Sequence, residues 1–326
     1  MSRKVRIATV AQLHRGGPTV QHNRELISTL IVQAVAERPD IICLPETFLQ
    51  QGVAFDHLNQ VAEPIPGPTT DLVSAYAREN QCYIICPLIG AHDERFTNDA
   101  VLIDREGAIQ GIYSKLHPVV QGATFTCLEQ GVTPGRSAPV FQTDFGRIGI
   151  QICFDIWFDD GWFALKRGGA EIVFWASAYD AGRHLSMRAW AHRVYVVSAV
   201  QARYARIVDV MGDVRAITGP GDPVTAHTVD LDVGLFHADF NNVQVPLIRT
   251  RYGTDVTIRM WHEEGVFSLE TNRDDLSVAD LIAEFELDPL ETYLERNARL
   301  QDAVRAGRPI PEDLAPPYSP DRVQWV

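Results

Sequence analysis

Apolar and polar positions follow two different periods along the first two thirds of this 326-residue chain. Short apolar runs predict buried strands, and several segments between them repeat apolar residues every three or four positions, which is typical of amphipathic helices. Strands are predicted at residues 5–11, 41–44, 83–89, 100–104, 108–113, 148–152, 172–175 and 195–200, with shorter ones near 206–210, 214–217 and 225–231. Helices are predicted at residues 22–37, 67–80, 158–167 and 184–193. This alternation indicates a layered α/β protein with a mixed sheet.

The pattern changes after about residue 240, where the chain becomes polar and loses a clear period. Ser277 and Pro289 stand at positions where helix starts are expected, so two helices are predicted there. We therefore predict a main domain over residues 1–275 and a C-terminal helical extension over residues 276–326.

A proline-rich arm closes this extension, beginning at Arg308. Its prolines disfavour a regular core element, and they stand at positions 309, 311, 316, 317 and 320. Two interpretations remain open, an extended arm that lies on a partner subunit and a disordered segment.

Composition and charge exclude several classes of partner. With 46% hydrophobic and 22% charged residues, the chain resembles a soluble globular protein. The formal net charge of −13 disfavours a nucleic-acid partner, because such a partner requires a basic surface. No apolar stretch approaches the roughly 18 residues of a membrane span. We predict neither a nucleic acid nor a membrane as partner.

The cysteines and histidines suggest neither disulfides nor a metal site. The five cysteines form no paired framework and no CxxC motif. The N-terminal segment has no signal-like apolar region, so we expect a cytoplasmic protein with reduced thiols. The ten histidines lack metal-ligand spacing, and we expect no metal and no cofactor.

Three predicted strands end at a residue with a reactive side chain: Glu46, Lys115 and Cys153. Strand ends are where open α/β sheets place their chemistry. A carboxylate can take the proton of a thiol, and the thiolate can then attack a carbonyl carbon. An ammonium and the backbone N–H of Phe154 could stabilise the resulting oxyanion. The three side chains therefore suffice for covalent acyl transfer.

Each of these residues has an ordinary alternative when taken alone. Free cysteine is among the most buried residue types, so Cys153 could be structural. Glu46 could lie at the surface, and Lys115 could be a solvated hairpin residue. The coincidence of all three at polar breaks after apolar strands favours a site.

The local sequences around these residues carry a family resemblance. Leu-Pro-Glu46, Ser-Lys115-Leu-His-Pro and Gly-Ile-Gln-Ile-Cys153-Phe-Asp resemble the Glu-Lys-Cys signature of the nitrilase superfamily, the carbon–nitrogen hydrolases. The resemblance covers roughly residues 5–235. It implies a four-layer α-β-β-α sandwich and assembly into homodimers or larger homo-oligomers. It also implies a second active-site glutamate, which Glu129 resembles, to hold Lys115 and orient the substrate.

The residues after the nucleophile indicate the branch of the family. Cys153-Phe154-Asp155 resembles the amidase and carbamoylase branches, whereas true nitrilases usually carry Cys-Trp-Glu. Ile156 and Trp157 stand where carbamoyl-amino-acid hydrolases tend to have arginines. This difference disfavours an amino-acid-type substrate held at those positions.

Aromatic residues near the strand ends are candidates for substrate binding. Trp157, Trp175 and Tyr179 could form a pocket wall, although the tryptophans could equally belong to the core. We predict a cofactor-free thiol amidohydrolase that cleaves a small amide or N-carbamoyl compound through a thioester. The alternatives are a nitrilase and a catalytically silent binding protein of the same fold.

Overall fold

The structure is a computed structural model that describes residues 3–93, 95–121, 126–311 and 314–318. It divides into two compact units, Val5–Val229 and a second unit that combines Met1–Lys4 with Asp230–Val326. The division that was predicted after residue 275 falls inside the second unit.

Strands and helices alternate along the described part of the chain. The strands are β1 (Lys4–Val10), β2 (Ile41–Cys43), β3 (Tyr83–His92), β4 (Arg95–Ile103), β5 (Ile109–Ser114), β6 (Val120–Gln121), β7 (Cys127–Leu128), β8 (Val140–Gln142), β9 (Arg147–Ile152), β10 (Ile172–Ser177), β11 (Tyr195–Val200), β12 (Arg206–Val208), β13 (Val214–Ile217), β14 (Val224–Asp230), β15 (Gly234–His237), β16 (Val256–Trp261) and β17 (Val266–Thr271). The α-helices are α1 (Val20–Ala36), α2 (Pro68–Asn80), α3 (Asp160–Arg167), α4 (Arg183–His192), α5 (Ala238–Asn241), α6 (Val245–Tyr252), α7 (Val278–Phe285) and α8 (Leu290–Arg305).

Two six-stranded sheets form the framework of the first unit. Their strand orders are β14-β1-β2-β3-β4-β5 and β13-β12-β11-β10-β9-β8. The strands β1 to β3 and β9 to β11 are parallel, and β4, β5, β8, β12 and β13 join them in antiparallel pairs. The prediction of mixed sheets is confirmed.

Helices cover one face of each sheet. In the first sheet, Ile27 and Ile31 of α1 and Val73 of α2 pack against apolar residues of β1 to β4. In the second sheet, Leu165 of α3 and Leu185 of α4 pack against β10 and β11. The central strands are buried on both faces, which explains why they read as continuous apolar runs.

The uncovered faces of the two sheets contact each other. The hydroxyl of Thr9 donates to the carbonyl of Ser198 at 2.6 Å. Gly111 of β5 lies against the ring of Phe141 in β8, because a Cβ at residue 111 would be too close to Phe141 Cε1. The order of layers is therefore α-β-β-α, which confirms the predicted sandwich.

The second unit has its own core around a sheet of order β15-β17-β16. Phe236, Phe267 and Leu281 are fully buried in it. Helix α7 begins as predicted, because the Ser277 hydroxyl accepts the N–H of Asp280 at 3.1 Å. The sequence pattern did not reveal β16, since only its first residue is buried and the others are half-buried.

Part of the proline-rich arm packs within this second unit. Leu314 and Tyr318 are buried, and the Tyr318 ring stacks on Phe240 with centroids 5.3 Å apart. Residues 312–313 and 319–326 of the arm lie outside the described residues.

Two kinds of feature are absent from the described ranges. No helix in them is both long and apolar enough to cross a membrane. No group of three or more His, Cys, Asp or Glu side chains in them is placed to hold a metal ion.

The core between the two sheets yields a stability prediction. Ile150 of β9 is fully buried and is the register partner of Phe174, on the face of the sheet opposite α3. Ile150→Ala should lower the free energy of unfolding by about 2–5 kcal/mol, because it leaves a cavity between the sheets. Ile217→Ala in β13 of the same sheet, where the side chain is 46% exposed, should cost about 0.5 kcal/mol. Denaturant unfolding measures both, and equal losses would contradict this assignment.

Candidate active site

The structure brings four of the predicted residues together at one end of the sandwich. Glu46 follows β2, Lys115 follows β5 and Cys153 follows β9, so both sheets contribute. Glu129 follows β7 and joins them in the lining of a cavity of about 270 Å³.

Lys115 is the central charge of the site and is only 1% exposed. Its ammonium donates to Glu46 Oε1 at 2.9 Å and to Glu129 Oε1 at 2.5 Å. Burial by itself lowers the pKa of Lys115, but the charges of Glu46, Cys153 and Glu129 outweigh it and raise that pKa above its ordinary value. The side chain therefore remains an ammonium throughout the neutral range.

Glu46 is held in place by three donors. Its Oε1 accepts from the Lys115 ammonium and from Nδ2 of Asn98, the latter at 2.9 Å. Its Oε2 accepts the backbone N–H of Ala178 at 2.9 Å. These bonds fix the carboxylate, so that it faces the cavity in one orientation.

Asn98 links the two glutamates and was not predicted as a site residue. The same Nδ2 that donates to Glu46 also donates to Glu129 Oε2 at 3.1 Å. The backbone carbonyl of Asn98 accepts the N–H of Lys115 at 2.8 Å. Asn98 is a buried polar residue within β4. Its buried position in a strand is the only local indication of a role in the site, because its hydrogen-bond partners lie in distant segments of the chain.

Cys153 adopts a strained backbone conformation directly after β9. Its φ of 45° lies in the left-handed region, which is costly for a residue with a Cβ. The indole N–H of Trp175 donates to the Cys153 carbonyl at 2.9 Å, and the N–H of Ile152 donates to Asp155 Oδ2 at 2.9 Å. These bonds hold the sharp turn that presents the thiol to the cavity.

The thiol of Cys153 is protonated at neutral pH. Burial is the largest cause that raises its pKa to about 12, followed by the negative charge of Glu46. Lys115, the Ser177 hydroxyl and the Ala178 N–H act in the opposite direction. The surroundings therefore place a proton donor next to a fixed carboxylate, an arrangement that suits proton transfer.

Asp155 ties the turn at Cys153 to β5, the strand that Lys115 follows. It is fully buried, and its Oδ2 accepts the hydroxyl of Tyr113 at 2.6 Å. Its Oδ1 accepts the backbone N–H of His117 at 2.9 Å. Burial and the charge of Asp155 raise the pKa of Tyr113 well above its ordinary value, so the hydroxyl remains a donor. From the sequence alone, Asp155 indicates only the branch of the family and no contact within the site.

The sequence matches a known family over most of its length. Residues 7–234 match the family model described as carbon-nitrogen hydrolase. The chain belongs to the carbon–nitrogen hydrolase family. It is therefore a member of the nitrilase superfamily and a hydrolase that acts on carbon–nitrogen bonds other than peptide bonds.

Individual relatives of this carbon–nitrogen hydrolase are distant but cover most of its length. The omega-amidase NIT2 of Xenopus tropicalis is 27% identical over 72% of this chain and 91% of its own. The crystal structure of Nit3 from Saccharomyces cerevisiae, a member of branch 10 of the nitrilase superfamily, superposes with a TM-score of 0.59 at 21% identity, over 76% of this chain and 96% of its own.

A third relative is the amidase of Nesterenkonia sp. AN1. Its structure has a TM-score of 0.57 at 20% identity, over 69% of this chain and 89% of its own. In one mutant of that amidase, the acetamide moiety of fluoroacetamide is covalently added at the active site cysteine.

The aromatic wall that was predicted from the sequence differs from the observed cavity lining. Trp175 is fully buried and supports Cys153 from behind, because its indole N–H bonds to the Cys153 carbonyl. Trp157 is 59% exposed and its ring contacts His184, while Tyr179 packs edge-on against Trp175. These three residues do not line the cavity. A direct contact of Trp157 or Tyr179 with substrate stays a prediction.

The apolar part of the cavity lining comes from residues that the sequence did not single out. These are Phe55, Leu58, Ile89 and Val119. Phe55 and Leu58 lie between β2 and α2, in a segment with no strand or long helix. Such a segment has no hydrophobic period from which its orientation could be predicted.

Phe154 directly follows the nucleophile in the 3₁₀ turn Cys153–Trp157. Backbone N–H groups in the first turn of a helix have no acceptor within that helix. The role of the Phe154 amide as an oxyanion donor stays a prediction.

The protonated state of Cys153 predicts the pH dependence of its alkylation. With a pKa of about 12, the thiolate fraction rises tenfold per pH unit throughout the accessible range. Alkylation of Cys153 by iodoacetamide should therefore increase about tenfold per unit between roughly pH 6 and pH 9 without a plateau. Peptide mass spectrometry in a Cys127→Ser background, which removes the exposed cysteine, measures this rate. A plateau near neutral pH would contradict the protonated resting state.

Proposed function

We propose that the protein hydrolyses the carbon–nitrogen bond of a small amide or N-carbamoyl compound through a covalent thioester on Cys153. The observation that carries this proposal is the buried Lys115 ammonium, held between Glu46 and Glu129 in the cavity that the thiol lines. The covalent adduct at the active site cysteine of the Nesterenkonia amidase supports the same role for Cys153.

The first half of the reaction forms the thioester. Glu46 takes the proton of the Cys153 thiol as the sulfur attacks the carbonyl carbon of the substrate. The carbonyl oxygen becomes an oxyanion, which the Lys115 ammonium and the Phe154 N–H stabilise. Glu46 then returns the proton to the substrate nitrogen, the carbon–nitrogen bond breaks, and ammonia or an amine leaves.

The second half releases the acid. Glu46 takes a proton from a water molecule, whose oxygen attacks the thioester carbonyl. The carbon–sulfur bond breaks, the carboxylic acid leaves, and the sulfur takes back the proton from Glu46. Glu129 keeps Lys115 in place during both halves, because it accepts a second hydrogen bond from the ammonium that also donates to Glu46.

Assembly and location complete the proposal. Large apolar side chains on or beside α3 and α4 are exposed, which favours a homo-oligomer that covers them: Trp157, Phe163, Met187 and Trp190. All five cysteines are free, and free thiols favour the reducing cytoplasm.

Replacement of the nucleophile tests the covalent step. Cys153→Ala should lower kcat for ammonia release from small amides by about 10⁴-fold or more, because the attacking atom is gone. The matched change Cys127→Ala removes an exposed cysteine and should leave turnover unchanged. A panel of amides, N-carbamoyl compounds and nitriles, read by ammonia release, measures both variants. Turnover by a correctly folded Cys153→Ala protein would exclude the thioester, and a preference for nitriles would favour the nitrilase alternative.

Replacement of the proposed base separates proton transfer from thiol acidity. Glu46→Gln should lower kcat by about 10²–10⁴-fold, because the amide cannot accept a proton. The pKa of the Cys153 thiol should fall in the same variant, since the charge of Glu46 raises it. Ammonia release and the pH profile of alkylation measure the two effects, with Glu25→Gln on the exposed side of α1 as control. Undiminished turnover would remove Glu46 from the role of base.

A further inference from the structure

His117 lies between two carboxylates next to the active site. Its Nδ1 is 3.0 Å from Asp155 Oδ1, and its Nε2 is 3.3 Å from Asp160 Oδ1. Its ring stacks on Phe158, with the ring centroids 3.9 Å apart. A neutral imidazole carries a hydrogen on only one ring nitrogen, whereas the imidazolium carries one on both. Both carboxylates can therefore accept a hydrogen bond from the ring only when His117 is protonated.

Asp155 depends on this proton for its charge balance. Its carboxylate is fully buried, and His117 is its only cationic partner among the described residues. The other donors to it are neutral: the Tyr113 hydroxyl and the backbone N–H groups of Ile152 and His117. A buried carboxylate is tolerated only when it is paired and hydrogen-bonded. The His117 imidazolium therefore compensates a buried negative charge that no other described side chain compensates.

The charged groups around the ring retain its proton beyond the ordinary range. The hydrogen bond to Asp155 is the largest cause that raises the pKa of His117, burial lowers it, and the charges of Asp155 and Asp160 raise it further. From β5, the Tyr113 hydroxyl bonds Asp155 and stays neutral, because its own pKa is well above its ordinary value. The Lys115 ammonium, two residues before His117, is bonded to the two active-site glutamates. A group with a raised pKa loses its stabilising contribution as the pH rises through that pKa.

His117 and Asp155 together connect the segments that carry the thiol and the ammonium. Asp155 accepts the N–H of Ile152, the residue directly before Cys153. His117 lies two residues after Lys115, and both its backbone N–H and its ring bond Asp155 Oδ1. His117 is not among the described residues that line the cavity. Its ring therefore influences where the thiol lies relative to the ammonium, and not the contact with a substrate.

We propose that the His117 imidazolium is a positioning residue for hydrolysis at Cys153, because it bonds Asp155 and Asp160 at once and so fixes the turn that carries the thiol relative to Lys115. Loss of the ring proton weakens this connection, and turnover then falls while substrate affinity stays the same. The inference rests on the proposed function, since its main readout is turnover at Cys153.

The pH dependence of turnover tests the inference. Ammonia release from propionamide, succinamide and N-carbamoylglycine is measured between roughly pH 6 and pH 10, the range in which a histidine of raised pKa titrates. As the pH rises, kcat should fall through one ionisation by on the order of 10-fold, which is the lower end of what a hydrogen bond to a charged group contributes. KM should stay nearly constant, because His117 does not line the cavity.

Asp160→Asn should move this ionisation without changing either reactive group. It removes one of the negative charges that raise the pKa of His117, while the Asn oxygen can still accept from Nε2. The fall in kcat should therefore occur at a lower pH. Asp159→Asn is the matched control, because both side chains are 68% exposed but Asp159 pairs with Arg188. This control should leave the ionisation where it lies in the wild type.

His117→Asn removes the ionisation itself and retains a donor near the position of Nδ1. Its kcat should be independent of pH and equal to the alkaline limit of the wild type. Denaturant unfolding gives a second readout that needs no substrate. The wild type should exceed this variant most in free energy of unfolding at the acidic end, and the difference should shrink as the pH rises through the raised pKa of His117.

The possible outcomes separate this inference from the proposed function. A wild-type kcat that does not fall, or a fall that stays at the same pH in Asp160→Asn, would overturn the inference and leave the hydrolase mechanism standing. A fall that persists in folded His117→Asn would do the same, and so would an effect on KM alone. If His117→Asn does not fold, the Asp160 and Asp159 variants decide. Absence of ammonia release from all three compounds at every pH would overturn the proposed function, and the inference with it.

Discussion

The buried ammonium of Lys115 is the constraint on which the site depends. An ammonium that is 1% exposed is tolerated only when it is paired and hydrogen-bonded. Glu46 and Glu129 supply the pairing, and Asn98 joins the two carboxylates through one amide group. Removal of either partner would leave a charge buried without compensation, which is more costly than the loss of a surface ion pair. The geometry of the cavity is therefore maintained by the same charges that would act on a substrate.

The turn at Cys153 depends on a second set of contacts. Cys153 has a left-handed backbone, and such strain persists only when the surroundings over-determine it. Trp175 bonds the carbonyl of this residue, and Asp155 accepts the preceding N–H while it also bonds Tyr113. Because Tyr113 lies in β5, two residues before Lys115, Asp155 couples the position of the thiol to that of the ammonium. Trp175 thus has a role in the site, although a different one from the predicted pocket wall.

The parts of the molecule that could be predicted are those with a recognisable pattern in the local sequence. Strands buried on both faces read as apolar runs, and Glu46, Lys115 and Cys153 were visible because each interrupts such a run. Glu129 followed from a family resemblance. Asn98 was missed, because its role comes from bonds to Glu46 and Glu129 in distant segments. The bond between Glu46 and Ala178 spans 132 positions, and no local pattern encodes such a pairing. Likewise, β16 was missed because a half-buried strand in a small sheet lacks clear alternation.

The resting state of the thiol follows from the same charges. Glu46 raises the pKa of Cys153 and Lys115 lowers it, while burial adds to the effect of Glu46. A thiol that stays protonated at neutral pH reacts slowly with stray electrophiles, since the thiolate is the nucleophile. The carboxylate that disfavours the thiolate at rest is also the proposed acceptor of its proton. A bound carbonyl would therefore favour proton transfer from Cys153 to Glu46. The negative charge would move from the sulfur to an oxyanion, which the Lys115 ammonium would stabilise. In the proposed mechanism, the buried Lys115 ammonium is thus the charge that stabilises the developing oxyanion.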